Sequence, residues 1–138
     1  MNGVEIIKDG DLILSMIIRA SVTPEKTTFI TPDEFYQQAG FIVYEKGGYI
    51  KAHIHLPIER YLNGTPETLF VRKGKLLASI YNAKHECKGE FVLNTGDVIM
   101  LVNGGHGFTV LEDTILLEIK QGPYTGLVEK EHFYDPGK

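Results

Sequence analysis

The sequence predicts an all-β fold, a sandwich or barrel, and three observations predict it. Short apolar runs alternate with polar residues at period two over most of the chain. Turn signals, from Gly47-Gly48 to Gly104-Gly105, recur at roughly ten-residue intervals, the spacing of short antiparallel strands. Fifteen glycines serve those turns, and a single segment reads as a helix.

The first element is a hairpin. Asp9-Gly10 separates the apolar runs Val4–Ile7 and Leu12–Leu14, the signal for a tight primed turn, and the second strand extends through Ile17-Ile18-Arg19. Thr23-Pro24 breaks it. Thr31-Pro32-Asp33-Glu34 then has the form of a helix start: Thr31 as cap, Pro32 at the first helical position and Glu34 completing a capping box. Gly40 closes this helix after two turns at most. From Phe41 the expected strands are Phe41–Tyr44, Tyr49–Leu56, Thr68–Arg72, Leu76–Tyr81, Glu90–Leu93, Asp97–Val102, Phe108–Leu111 and Thr114–Lys120.

The chain of 138 residues reads as one domain: hairpin and short helix over 1–40, a strand-built core over 41–121 and a tail over 122–138. A net charge of −4 argues against a nucleic-acid partner, which needs a basic patch. The apolar runs are too short to cross a bilayer, and the opening Met1–Glu5 lacks the basic lead and apolar run of a secretory signal. The single cysteine, Cys87, excludes an internal disulfide and fits a reducing compartment, so a cytoplasmic protein is expected. Some strands are apolar on both faces, as in Ile99-Met100-Leu101-Val102, and need cover on both. A homodimer is the expected cover, with the N-terminal hairpin folded over the outer face as the alternative.

Chemistry concentrates at His53 and His55. Strand periodicity turns both imidazoles to one face, where they can share a metal ion if further ligands arrive. Glu67 opens one later strand and His106 precedes another. Three imidazoles and a carboxylate make a mixed nitrogen–oxygen set suited to one divalent transition metal such as Fe(II), Mn, Ni or Zn.

The spacing resembles the cupin superfamily, whose fold is a double-stranded β-helix, a jelly-roll barrel. Five residues separate Gly47 from His53-Ile54-His55, and six separate Glu67 from Gly74, as in the first cupin motif. Gly96-Asp97 through Gly104-Gly105-His106 has the outline of the second. The resemblance covers Phe41 to Gln121 and implies a small single-domain cupin whose metal ligands are His53, His55, Glu67 and His106. Three features depart from the family pattern. Eleven residues, Leu56–Pro66, separate His55 from Glu67 where cupins have three or four, which makes Glu59 a rival ligand. Val102 stands where cupins usually have Pro, and the Asn that often follows the second-motif His is replaced by Val110.

Three readings follow, the third a structural or partner-binding jelly roll whose histidines are vestigial. The first is a metal-dependent enzyme, of isomerase/epimerase or dioxygenase class, acting on a small polar metabolite such as a sugar or keto acid. Its candidate acid–base groups are Glu59 and Tyr49, with Tyr44 also reachable; Arg60, Lys120 and Tyr124 are candidates for holding substrate. The second is a non-catalytic cupin binding a small ligand or metal. Cupins of this size also suggest carbohydrate metabolism. His85 and His132 lie outside both motifs and read as surface residues.

Overall fold

A computed structural model describes residues 1–137; Lys138, the end of the expected tail, lies outside them. The chain forms two compact units, one of residues Met1–Val22 and Thr65–Lys138 and one of Thr23–Gly64.

The larger unit is built from two antiparallel sheets. A five-stranded sheet contains β1 (Val4–Asp9), β2 (Leu12–Ile18), β8 (Val98–Leu101), β5 (Glu67–Lys73) and β10 (Ile115–Lys120), in that order. A three-stranded sheet contains β7 (Cys87–Asn94), β6 (Lys75–Tyr81) and β9 (Gly105–Val110). The path from β5 to β10 changes sheet at Gly74, at Thr95-Gly96, at Asn103-Gly104 and at Leu111–Thr114; only β6 and β7 follow one another within a sheet. One 3₁₀ turn, Gly126–Glu129, precedes the C-terminal residues.

Alternation decides the core. Leu69 and Val71 of β5, Ile99 and Leu101 of β8, and Leu76, Ala78 and Ile80 of β6 point between the sheets and are buried in one apolar cluster. Phe108 and Leu116 close on it from β9 and β10. The N-terminal hairpin forms as its Asp9-Gly10 signal predicts, with Gly10 at φ +60° and Asp9 opposite Leu12. It does not fold over an outer face. Instead β2 pairs with β8, Met16 opposite Met100, and the hairpin widens the five-stranded sheet.

Buried Asp97 joins three parts of this unit. Its carboxylate accepts hydrogen bonds from the amides of Ala20 (2.8 Å) and Asn94 (3.0 Å) and from Arg19 Nη1 (3.0 Å). Its carbonyl accepts from the Val71 amide of β5 at 3.0 Å. Arg19 also donates from Nε to Glu5 at 2.5 Å and from Nη1 to the Val92 carbonyl at 2.7 Å.

The smaller unit departs from expectation twice. No helix forms over 31–40. Thr31 Oγ1 accepts from the amide of Ala39 at 3.0 Å rather than capping a helical turn, and Gln38 Nε2 donates to the carbonyls of Pro32, Asp33 and Phe35. Side chains thus satisfy backbone groups that a helix would have paired, in a segment too short to nucleate one cheaply. The expected strand Phe41–Tyr44 is reduced to β4 (Gly40–Phe41), paired with β3 (Thr28–Phe29), and Tyr49–Leu56 is not a strand. The Gly47 turn is present, with Gly47 at φ +88° and the Gly48 amide donating to the Glu45 carbonyl. Beyond it no ladder pairs the backbone, and without pairing and one-sided burial alternation alone does not make a strand. Among the described residues no helix is long and apolar enough to cross a membrane.

Replacing Asp97 by Ala strands two amides and removes one of three partners of the partly buried Arg19, and is expected to cost about 3 kcal/mol in urea unfolding. Glu5→Ala, which removes the more exposed partner, should cost less than about 1 kcal/mol.

Candidate metal centre

Glu67 is the first residue of β5 and shares its inward face with Leu69 and Val71. β9 pairs with β6 so that His106 lies opposite Ile80 and Phe108 opposite Ala78, which turns His106 inward as well. The two side chains meet there, His106 Nε2 standing 3.4 Å from Glu67 Oε2. Thirty-eight residues of sequence lie between them. The Glu67 side chain is 10% exposed and that of His106 34%, so the couple sits at the rim of the apolar core.

Burial holds the His106 pKa below the ordinary histidine value, and the Glu67 carboxylate opposes that shift without cancelling it. Lys130 adds to the lowering and Glu118 to the opposition. At neutral pH the imidazole is therefore uncharged and keeps a ring nitrogen free to accept a proton or bind a metal.

Lys120 ends β10 directly opposite Glu67 in the ladder. Its ammonium lies 3.5 Å from Glu118 Oε1 and 5.7 Å from the centre of the Tyr124 ring, a loose ion pair and a cation–π contact. Two of the expected substrate-binding residues are thus neighbours, near one of the expected metal ligands.

The smaller unit holds the other pair. His53 and His55 stand with ring centroids 5.1 Å apart and planes at 67°, and His53 Nδ1 lies 3.0 Å from the Lys51 carbonyl oxygen. Both are exposed, as are Tyr44, Tyr49, Glu59 and Arg60. Among the described residues no group of three or more His, Cys, Asp or Glu side chains is arranged to hold a metal ion. Of the four expected ligands, the imidazole–carboxylate pair Glu67 and His106 lies in one unit and the imidazoles of His53 and His55 in the other.

Sequence reasoning overlooked Glu118 and Lys130. Glu118 shares its strand face with Leu116 and Lys120, so period-two counting back from Lys120 reaches it. Lys130 follows the last strand, where no periodicity points to it. The reading of His85 and His132 as surface residues agrees with their exposure, although His85 also stacks on Phe133 at 4.1 Å.

No protein-family model, curated protein or solved structure matches the chain.

In an NMR titration of metal-free protein, His106 should titrate below the model-peptide range of about 6.5. Glu67→Gln should lower it further, because the carboxylate is what favours the imidazolium. The sign for stability follows. A depressed histidine contributes fully above the unfolded-state pKa, and its contribution is lost as pH falls through the folded-state value.

Proposed function

We propose that the protein is a cupin-type metal-binding protein in which His53, His55, Glu67 and His106 hold one divalent transition metal. On this reading it is a metal-dependent enzyme acting on a small polar metabolite such as a sugar or keto acid. The observation that carries the reading is the Glu67–His106 couple, 3.4 Å apart and facing inward on strands of opposing sheets. Motif spacing names those two residues, and a carboxylate beside an imidazole at the edge of an apolar core suits a metal site or an acid–base pair. The sheet-changing path from β5 to β10 also has the form a double-stranded β-helix needs. β9 and β10 are each paired along one edge only, so both sheets can accept the further strands that a jelly roll requires.

A bound divalent ion would supply Lewis-acid polarisation of a substrate carbonyl or hydroxyl, or a place for dioxygen. The chain's own residues supply the rest. Neutral His106 can ligate without first losing a proton. Glu67 brings the negative charge that favours a divalent cation. Lys120, opposite Glu67, is placed to hold an oxygen of the substrate, and Tyr124 covers its ammonium. Glu59, Tyr49 and Arg60 are the proposed acid–base and anchoring groups of the long insertion. The alternative, a non-catalytic ligand- or metal-binding cupin, shares the ion and differs only in lacking turnover.

The proposed homodimer draws support from the outward face of β10, where Ile115, Leu117 and Ile119 are 46–58% exposed. A monomer rarely leaves a contiguous apolar strip of that kind in water.

Reconstitution with Fe(II), Mn, Ni or Zn should give close to one equivalent of metal. His53→Ala, His106→Ala and Glu67→Gln should each lower occupancy, while Glu59→Gln should not. Retention below ~0.2 equivalents across all four metals would overturn the site, since a three-imidazole set binds strongly. Product formation or oxygen uptake over a sugar and keto-acid panel separates enzyme from binding module. Light scattering should report a dimer, and Leu117→Lys with Ile119→Lys should shift it to monomer.

A further inference from the structure

The run Gly104-Gly105-His106-Gly107 carries more glycine than a turn and a strand start require, and a C-terminal residue accounts for Gly105. Gly104 has φ +72°, and a Cβ there would collide with the Tyr81 carbonyl oxygen. Gly105 faces the ring of Phe133: an added Cβ would lie 3.1 Å from Cε1 and 3.3 Å from Cζ. At Gly107 a Cβ would meet the Tyr81 ring at 3.9 Å. Gly105 thus admits the Phe133 ring against the backbone just before His106, and Gly104 admits the Tyr81 carbonyl.

Those rings are themselves held. Phe133 stands edge-on to Tyr81, with centroids 5.1 Å apart and planes at 83°, and it is stacked on His85 at 4.1 Å and 5°. The Tyr81 hydroxyl donates to Asp135, and burial with that carboxylate pushes the Tyr81 pKa up to about 12, so the phenol stays neutral and the bond stays made. The C-terminal segment therefore crosses the outer side of β6 and β9 as a strap, bordering an open cavity of about 270 Å³ lined by Ser79, Tyr81, His106, Thr109, Phe133 and Asp135 among others. On the preceding side, the amides of Val102 and Asn103 donate to the Leu14 carbonyl at 2.9 and 3.0 Å, and Asn103 Nδ2 donates to the Ile13 carbonyl at 2.8 Å.

β9 is an edge strand, hydrogen-bonded only to β6, and edge strands open locally more readily than central ones. His106 is its second residue, inward where the strap is outward. We infer that the strap formed by residues 131–135 is the positioning element for His106, acting through Phe133 against the Gly105 backbone. Its functional consequence rests on the metal site proposed above; its structural consequence does not. Residues outside a metal's first ligands fix ligand orientation and typically change metal affinity ten- to a hundredfold when lost.

The test is hydrogen–deuterium exchange on metal-free full-length protein, comparing wild type with Phe133→Ala, Gly105→Ala and the ring-retaining Phe133→Tyr. Phe133→Ala and Gly105→Ala should each raise exchange of peptides covering 103–110 at least tenfold, leave the β2 peptide unchanged, and Phe133→Tyr should stay near wild type. Zn(II) titration of the same proteins should show about tenfold weaker affinity for Phe133→Ala at unchanged stoichiometry. Unchanged exchange over 103–110 overturns the inference whatever the metal does. So does a rise that includes β2, because the strap would then be a general stabiliser. A wild-type protein that takes up no metal overturns the metal site and leaves the exchange result to decide the strap.

Discussion

The register of β8 between β2 and β5 is the constraint on which the larger unit depends, and the Asp97 carboxylate stands at its start. Asp97 satisfies the amides at the end of the β2 segment and at the β7–β8 turn while its own carbonyl takes the Val71 amide. With that end pinned, Val98 lies opposite both Ile18 and Phe70, and Leu101 lies opposite both Ser15 and Glu67. A slip of one residue would exchange the faces of every strand residue and turn Glu67 to the outside. The position of a proposed metal ligand is thus set by a turn carboxylate at the far end of the neighbouring strand.

That position has a chemical cost and a use. A carboxylate 10% exposed beside an apolar cluster is unfavourable unless something compensates it. The imidazole 3.4 Å away is the compensating group that stands beside it. The imidazole compensates incompletely, because its own burial disfavours the charged form that would pair best. A divalent cation would bind the neutral form of the imidazole, which its burial favours, and would bring positive charge to the carboxylate.

How much of this was legible in the sequence varies with the kind of signal. Strands β5 to β10 were readable to within a few residues because each is either alternating or, like β8, a short apolar run, and each ends at a glycine or polar turn. Glu67 and His106 were readable because motif spacing encodes strand length and turn size, the quantities that bring the two inward faces together. The helix over 31–40 failed where local and tertiary preferences part: Thr31 and Gln38 have side chains as able to pair a loop backbone as to cap a helix. Tyr49–Leu56 failed because alternation describes how a strand is buried, not whether a partner pairs with it. The strap left no periodic trace, although the surplus of glycine around His106 was a visible sign that something packs there.

The outer surfaces of the two sheets follow different logics. On the three-stranded sheet the outward residues Ser79 and Tyr81 are buried, because the strap covers them and Glu90 and Asp135 take their hydroxyl hydrogen bonds. Polar groups can be buried there since the chain brings their partners with it. On β10 the outward residues are β-branched or aliphatic and have no polar role to satisfy. Burying Leu117 and Ile119 would stabilise an assembly by about 25 cal/mol for each square ångström covered, without a desolvation penalty. An apolar edge strand is also the place where unintended pairing begins, so a defined cover protects as well as stabilises. A two-fold partner meets both needs, because a single self-complementary surface then covers the strip in both copies.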